Sequence, residues 1–277
     1  MEITRRDVAL DFDPTTVPKD WGGDTYMTTY LGALSLLIPE GESFFVSSVK
    51  HHRAGITSPE LQRAVAGFLG QEAMHGREHR QFNDLLDAHG HTEAPNIEAR
   101  LRWFLNRVVK KVLSPKSQLA VTCALEHFTA MLAEQLLRDD RLRNELDPAV
   151  RPLWLWHALE EVEHKAVAFD VYRSANGGYV RRVAIMLLTS VVFFAVQSMT
   201  HRRLMARRKI QWKPWRWVRG MTRQWMWPGF NLRLIPAYLS YFRPGFHPGD
   251  HDATALLDRW RDQLFGSPGS VTLRQGT

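Results

Sequence analysis

The sequence predicts an all-α protein, in which a four-helix bundle is followed by additional C-terminal helices. Two long stretches start with serine and proline, at Ser58-Pro59 and Ser114-Pro115, which is typical of a capped helix start. No stretch alternates Val or Ile with polar residues over a useful length, so no strand is predicted. The pattern Glu-x-x-His occurs twice, over residues 72–75 and 161–164. Two such pairs on facing helices are typical of a di-metal site inside a four-helix bundle.

The other elements follow from helix breakers. Residues 1–22 contain Pro14 and Pro18 and are expected to form an irregular arm. Pro39 and Gly41 interrupt the first helical pattern, so we expect a kink there. Helices are predicted over about residues 25–52, 59–88, 97–113, 115–137, 147–174 and 252–265. The chain therefore divides into an N-terminal arm, a bundle and a helical extension, over residues 1–22, 23–178 and 179–277.

Glutamates occupy matching depths in the two predicted helix hairpins, whose turns fall near residues 56 and 144. In the first hairpin, Glu42 lies 14 residues before the turn and Glu72 lies 16 residues after it. In the second, Glu126 lies 18 residues before the turn and Glu161 lies 17 residues after it. At roughly 1.5 Å of rise per residue, antiparallel packing brings the two members of each pair to about the same level.

Four carboxylates facing one bundle interior would repel each other and lose their hydration, which costs several kcal/mol for each unpaired charge. Two divalent metal ions would remove that cost. We expect one ion to be bound by Glu42, Glu72 and His75 and the other by Glu126, Glu161 and His164, with one or two glutamates bridging. Mixed oxygen and nitrogen ligands suit iron or manganese, and we expect iron. The absence of nearby cysteine ligands argues against a structural zinc site.

Neighbouring residues leave alternatives open. Glu40 could bind metal in place of Glu42, which could instead be a first-turn carboxylate after the proline. His79 shares a helix face with residue 72, and His157 lies four residues before Glu161, so either could touch the metal or its ligands. The residues expected to be solvated or to support the ligands are Glu160 and Glu163. A cluster of salt bridges without metal is the alternative for the whole set.

Four stretches resemble a bacterial family called predicted metal-dependent hydrolases. They are Phe-Leu-Gly-Gln-Glu-Ala-Met-His-Gly-Arg-Glu-His at 68–79, Trp-His-Ala-Leu-Glu-Glu-Val-Glu-His-Lys-Ala-Val-Ala-Phe-Asp-Val-Tyr at 156–172, and the shorter segments 38–42 and 124–129. The resemblance covers about residues 25–200 and implies a ferritin-like helical domain. It favours Glu42 over Glu40, because the family pattern reads Pro-x-Gly-Glu. The ligand set resembles that of oxygen-activating di-iron proteins more closely than that of hydrolases, despite the name of the family.

Charge is distributed unevenly along the chain. The net charge of the chain is +7. The segment 171–249 contains 14 of the 36 Lys and Arg and no Asp or Glu, so it carries a charge of +14. The rest of the chain has 22 basic and 29 acidic residues and carries a charge of −7. Within it, residues 183–200 carry no formal charge, a length at the threshold for a membrane span. This run could pack on the bundle as a buried helix, lie in a membrane interface, or span the bilayer.

Aromatic residues accompany the basic ones. Five of the ten tryptophans lie between Trp212 and Trp227, among Lys and Arg, a composition typical both of proteins at anionic membrane surfaces and of those that bind single-stranded nucleic acid. The adjacent apolar run, which could insert into a bilayer, favours the membrane. The first residues lack the apolar core of a signal peptide, and the single cysteine, Cys123, excludes an intramolecular disulfide. We therefore expect a cytoplasmic protein, peripheral to or inserted at the inner membrane. The sequence predicts no oligomeric state.

These features together predict a di-iron carboxylate enzyme that uses O2 as co-substrate to oxidise a hydrophobic, lipid-like molecule at the membrane surface. The substrate is expected to approach beside Phe44, Phe45, Phe128 and Met131. One alternative is a di-metal hydrolase, in which a bridging hydroxide attacks an ester or phosphoester. A second alternative is a metal-binding or membrane-surface protein without catalysis. A nucleic-acid module ranks last.

Overall fold

The computed structural model describes residues 3–90, 94–209, 214–226 and 229–266, and within them it contains helices and no strand. The predicted all-α class is therefore confirmed. The helices are α1 (Thr25–His52), α2 (Pro59–Ala88), α3 (Ala94–Phe104), α4 (Lys110–Val112), α5 (Pro115–Arg138), α6 (Asp140–Glu145), α7 (Arg151–His164), α8 (Val167–Ser174), α9 (Tyr179–Arg207), α10 (Pro214–Trp225), α11 (Ile235–Ser240) and α12 (Thr254–Phe265).

Helix starts follow the capping residues that the sequence offers. The Asp24 side chain accepts a hydrogen bond from the Met27 amide at the start of α1, and Ser58 accepts one from the Leu61 amide at the start of α2. Ser114 caps α5 through the Ser117 amide. Each cap satisfies an amide that has no partner within its helix, so these boundaries agree with the sequence prediction.

The four-helix bundle consists of two hairpins. Helices α1 and α2 pack along their lengths and are joined through a short 3₁₀ turn, Arg53–Gly55, while α5 packs against α7. Helix α1 continues through Pro39. The predicted helix 147–174 is instead split at Lys165 and Ala166 into α7 and α8, and α7 begins only at Arg151.

The N-terminal arm has no regular secondary structure and packs along α2. Trp21 is buried, stacks on Trp154 at a ring-centroid distance of 6.0 Å, and meets the ring of Phe82 edge-on. Near the other end of the chain, α12 packs on α5 and α7, where the Trp260 indole donates a hydrogen bond to the Leu137 carbonyl at 3.0 Å. Both termini of the described chain thus contribute to the core.

Helix α9 lies on the outside of the bundle. One face packs on α1 and α5, whereas the opposite face exposes apolar side chains, including Val191, which is 70% exposed. Among the described residues, α9 is the one helix long and apolar enough to cross a membrane by length and composition, and 33% of its most apolar window is buried. Core helices of soluble proteins meet the same criterion.

Candidate metal centre

The bundle brings all six predicted ligands into one buried cluster. Glu42 lies on α1 and Glu126 on α5, while α2 and α7 each supply a Glu-x-x-His pair. All six side chains are 3% exposed or less: Glu42, Glu72, His75, Glu126, Glu161 and His164. The six side chains expected from sequence therefore lie together in the bundle interior, and ligation of metal by these residues remains a prediction.

The cluster contains two groups of potential ligand atoms. The first group is Glu42, His75, His157 and Glu161, whose ligand atoms all lie within 4.8 Å of one another. Glu42 Oε1 lies 3.6 Å from His75 Nδ1 and 3.9 Å from His157 Nε2. Glu161 Oε1 lies 3.0 Å from His157 Nε2 and 3.7 Å from His75 Nδ1.

The second group is Glu72, Glu126 and His164, with the same 4.8 Å limit on its ligand atoms. His164 Nε2 lies 3.1 Å from Glu72 Oε1 and 3.4 Å from Glu126 Oε2. The other oxygen of Glu161, Oε2, lies 3.6 Å from the same nitrogen. Glu161 therefore faces both groups and is the residue placed to bridge them.

This grouping differs from the predicted division of ligands. Glu72 was expected to join His75, and Glu161 was expected to join His164, because each pair lies on one helix. Residues three apart share a face but differ in depth by about 4.5 Å along the helix axis. Since α2 and α7 run antiparallel, His75 lies level with Glu161, and Glu72 lies level with His164.

Electrostatics in the cluster are unfavourable without a cation. Burial, with the charges of Glu72, Glu161 and Glu126, raises the pKa of Glu42 well above its usual range. Burial likewise raises the pKa of Glu126 well above its usual range, against the opposing effect of His164. Carboxylates placed this way would have to take up protons unless positive charge balances them.

The pKa values of the two Glu-x-x-His histidines shift in opposite directions. Burial, with the neighbouring His157, lowers the pKa of His75 well below its usual value. Burial opposes protonation of His164 too, but Glu126, Glu161 and Glu72 outweigh it and raise the pKa of His164 well above its usual value. In the metal-free protein, a proton on His164 is thus the available counter-charge for the second group.

Many buried atoms of the cluster lack hydrogen-bond partners. They are both carboxylate oxygens of Glu42, Glu72 and Glu126, one oxygen of Glu161, His75 Nδ1 and His164 Nε2. Buried polar atoms are normally paired, because each unpaired one costs about 1–3 kcal/mol. Unpaired oxygen and nitrogen atoms that converge on one space are what a cation would satisfy, so the residues fit a pair of divalent metals.

Residues around the cluster fix two of the histidine rings. His75 Nε2 lies 3.0 Å from Glu160, which also accepts a hydrogen bond from Arg6 at 2.9 Å. His164 Nδ1 lies 3.0 Å from Gln71 Oε1, the acceptor end of an amide whose nitrogen donates elsewhere. Each ring therefore donates from its outer nitrogen, and in its neutral form it presents the lone pair of its inner nitrogen to the carboxylates.

A hydrogen-bond chain fixes the third ring, that of His157. The Ser35 hydroxyl donates to Asn83 Oδ1 at 2.7 Å, so it must accept from His79 Nδ1 at 2.8 Å. His79 Nε2 then accepts from His157 Nδ1 at 2.9 Å. In this arrangement the lone pair of His157 Nε2 faces Glu161 Oε1, and only a proton or a metal cation between these two atoms makes the contact favourable.

The structure answers two of the questions that the sequence left open. His157 belongs to the first group of potential ligands, and His79 contacts His157 without reaching the carboxylates. Glu40 lies outside both groups and pairs with Arg102 at 2.8 Å, whereas Glu42 has no basic partner of this kind. The spacing of four residues between His157 and Glu161 was the available signal for this additional ligand.

An apolar cavity reaches the first group, where Glu42, His157 and Glu161 line it. Of the residues expected beside the substrate, Phe45 lines this cavity. The others do not line it: Phe44, Phe128 and Met131. They are buried in a hydrophobic cluster, and Phe128 stacks on Phe193 at a ring-centroid distance of 5.3 Å. The expectation for those three residues is therefore corrected, because their side chains pack in the core.

Comparisons with known proteins give one match. A family model described as "Predicted metal-dependent hydrolase" matches residues 4–252, which is most of the chain. No curated protein and no solved structure matches the chain. The match includes both Glu-x-x-His pairs, the arm that carries Arg6, and helices α9 to α11.

Proposed function

Because the chain belongs to the family of predicted metal-dependent hydrolases, we propose that it is a di-metal hydrolase that cleaves an ester or a phosphoester. The observation that supports this proposal most directly is the convergence of unpaired buried atoms from four helices. Three imidazoles present lone pairs to four carboxylates, an arrangement that is unfavourable unless cations lie between them.

The family match overturns the oxidation hypothesis from the sequence. O2-dependent oxidation rested on the likeness of the ligand set to oxygen-activating di-iron proteins, and a ligand set of glutamates and histidines is compatible with more than one chemistry. The family is described as a hydrolase, which agrees with the alternative and contradicts the oxidoreductase preference. Metal-dependent catalysis is common to both, so that coarser expectation is retained.

The four residues of the first group would hold one ion, and the three residues of the second group would hold the other. Glu161 faces both groups and could contribute to both sites. Divalent cations in such a site polarise the scissile carbonyl or phosphoryl oxygen and lower the pKa of a water molecule so that it can act as the nucleophile. Glu160 and Gln71 keep two imidazoles in the ligating tautomer. Trp156 and Phe68 pack edge-on against His75 and His164 and exclude bulk water.

The test is metal analysis combined with hydrolysis assays in the absence of oxygen. Protein purified anaerobically should contain close to two divalent ions per chain. Chromogenic esters and phosphodiesters should be cleaved without O2, and chelation followed by readdition of iron, manganese or zinc should remove and restore the activity. Fewer than one ion per chain, or no cleavage of either class with any metal, would refute the proposal.

We further propose that the enzyme works at an anionic membrane surface. Apolar side chains on α9 and α10 face outward, and Val191 and Trp215 are 70% and 59% exposed. Exposed arginines lie beside them, at positions 202 and 203 on α9 and at 219 on α10. Apolar and aromatic groups with flanking positive charge match a headgroup region. Trp212 and Trp227, which motivated the same expectation from sequence, lie outside the described residues.

Co-sedimentation with vesicles tests this location. Binding should be strong to vesicles that contain phosphatidylglycerol, weak to pure phosphatidylcholine, and reduced by salt. The double variant L187S/V191S removes exposed apolar groups and should bind at least several-fold more weakly while keeping its helical circular-dichroism spectrum. Equal binding by the variant, or preferential binding to an oligonucleotide of the same charge, would reject a membrane partner.

A further inference from the structure

The cavity that reaches the metal centre has a volume of about 380 Å³. This value falls within the roughly 300–1,000 Å³ of typical small-ligand pockets. Three of the four residues of the first group line it, namely Glu42, His157 and Glu161. No residue of the second group lines it. A molecule in the cavity would therefore meet the cluster from one side only.

Apart from those three residues, the walls are almost entirely hydrocarbon. The other polar residues that line the cavity are Thr129, Glu145 and Thr189. Most of the apolar wall comes from four regions, represented by Leu37 of α1, Leu105 after α3, Leu125 of α5 and Val192 of α9. A polar or charged substrate would lose its hydration here without gaining partners, which is unfavourable, whereas an alkyl chain would be stabilised.

The cavity opens to the surface beside α9. Two of its lining residues, Val112 and Leu188, are 75% and 51% exposed. Leu188 also neighbours the outward-facing apolar residues Leu187 and Val191. A hydrophobic molecule that enters beside Leu188 would thus pass along apolar side chains from the surface of α9 to the carboxylate cluster.

We infer that this cavity binds the hydrocarbon chain of an acyl or alkyl substrate, with the ester or phosphoester group at Glu42, His157 and Glu161. The chain would extend between α1 and α9 toward the opening at Val112 and Leu188. This inference rests on the proposed hydrolase function for the position of the reacting group. Binding of the chain itself depends only on the shape and apolarity of the cavity.

Gly41 provides a variant that fills the cavity. It lines the cavity on α1, and a Cβ added there would meet no atom within 4 Å, so the bulky variant Gly41→Phe can project into the space without a clash at its base. Replacing glycine inside a helix also favours the helix. Ser47→Phe is the matched control, because it adds the same ring at an exposed position of α1 that does not line the cavity.

Calorimetric titration of the metal-free full-length protein with straight-chain alkan-1-ols tests the inference. These probes are uncharged, so the carboxylate cluster does not repel them. Affinity should rise with chain length by up to roughly fourfold per methylene and then reach a plateau when the cavity is filled. Gly41→Phe should weaken binding of the longest alcohol at least tenfold, and Ser47→Phe should not.

The outcomes separate this inference from the proposed function. Absence of length-dependent binding, or equal affinity of Gly41→Phe and the control, would overturn the hydrocarbon site even if the metal-loaded protein hydrolyses short soluble esters. Length-dependent binding that Gly41→Phe abolishes would support the site even if no ester is cleaved. In the metal-loaded wild type, long-chain esters should have the lower KM, and Gly41→Phe should raise that KM more than the KM for an acetate ester.

Discussion

The two halves of the candidate metal centre come from the same sequence pattern, a glutamate on one helix and Glu-x-x-His on the next, yet they differ in the structure. The first group has four potential ligands, including the additional His157, and an apolar cavity reaches it. The second group has three, and none of them lines that cavity. A duplicated pattern has therefore produced one accessible half and one enclosed half.

The two halves differ in whether the apolar cavity reaches them, more than in the types of their ligands. Both groups combine carboxylate and imidazole, so the chemistry of their donors is alike. The second group is covered by Phe68, which contacts His164 edge-on at 5.0 Å. We therefore expect the first group to bind the reacting part of the substrate and the second to supply charge and to hold the shared Glu161 in place.

The largest effect is expected for Glu161→Gln, because this residue faces both groups. The amide keeps the size of the side chain but removes its charge and one ligating oxygen. Metal content should fall from about two ions to less than one per chain, and affinity for the first ion should fall by at least ~10²-fold, beyond the range seen for residues that only orient ligands. Plasma emission spectroscopy of dialysed protein measures this. Retention of two ions would show that Glu161 does not join the halves.

A comparison of His164→Gln with His157→Gln tests the asymmetry directly. His164 is the single histidine of its group, so its loss should leave close to one ion per chain. The first group keeps His75 after His157 is replaced, so that variant should still bind two ions, one of them about 10–100-fold more weakly. Isothermal titration of each metal-free variant with manganese gives stoichiometry and affinity. Identical losses in both variants would mean that the halves are equivalent.

Much of the fold could be predicted because its signals are local. The caps at Asp24, Ser58 and Ser114 lie where the helices were expected to begin, and α1 was predicted with its observed bounds, Thr25–His52. The short helix Asp140–Glu145 was missed, since the turn of the second hairpin was placed in that region. The break at Lys165 was missed too, because neither glycine nor proline marks it.

The site was predictable in membership but not in arrangement. Helical spacing shows which side chains share a face, and it identified Glu72 and His75 correctly as neighbours of the cluster. Helical spacing does not show which residues of the facing helix lie at the same depth as Glu72 or His75. The assignment of these two residues to one ion was therefore not supported by the structure. The cavity depends on how α9 packs on α1 and α5, a tertiary contact that no sequence spacing encodes.

Metal removal should destabilise the protein more at high pH than at low pH. The raised pKa values of Glu42 and Glu126 mean that the metal-free fold binds protons more tightly than the unfolded chain. That stabilising contribution is present below the ordinary carboxyl pKa and is lost as pH rises through the raised values. Bound metal substitutes for the protons and binds more tightly as they leave.

The measurement is the melting temperature with metal and with chelator at pH 5, 6.5 and 8. At a free metal concentration 100 times its Kd, one ion stabilises the fold by about 2.7 kcal/mol. The difference between loaded and chelated protein should increase with pH. A difference that is constant, or largest at pH 5, would mean that the carboxylates are not neutralised by the ions.

A smaller effect is expected for Gln71→Leu, which removes the acceptor for His164 Nδ1 without touching the cluster's carboxylates. The ring is then free to take the other tautomer, so metal affinity at the second group should fall about 10–100-fold. The first group should be unaffected. Gln135→Leu is the control, since Gln135 donates to the Phe230 carbonyl and contacts neither group. An equal loss in both variants would indicate general destabilisation.

The smallest effect is expected for Glu40→Gln, which separates the two glutamates that the sequence could not distinguish without the family resemblance. Glu40 is buried but pairs with Arg102, whose side chain is 57% exposed, and glutamine keeps an oxygen that accepts from this guanidinium, so the loss of charge should cost about 1 kcal/mol. Metal content should stay at the wild-type value, whereas Glu42→Gln should weaken the first group. Chemical denaturation and metal analysis of both variants measure this. A loss of metal from Glu40→Gln alone would transfer the ligand role to Glu40.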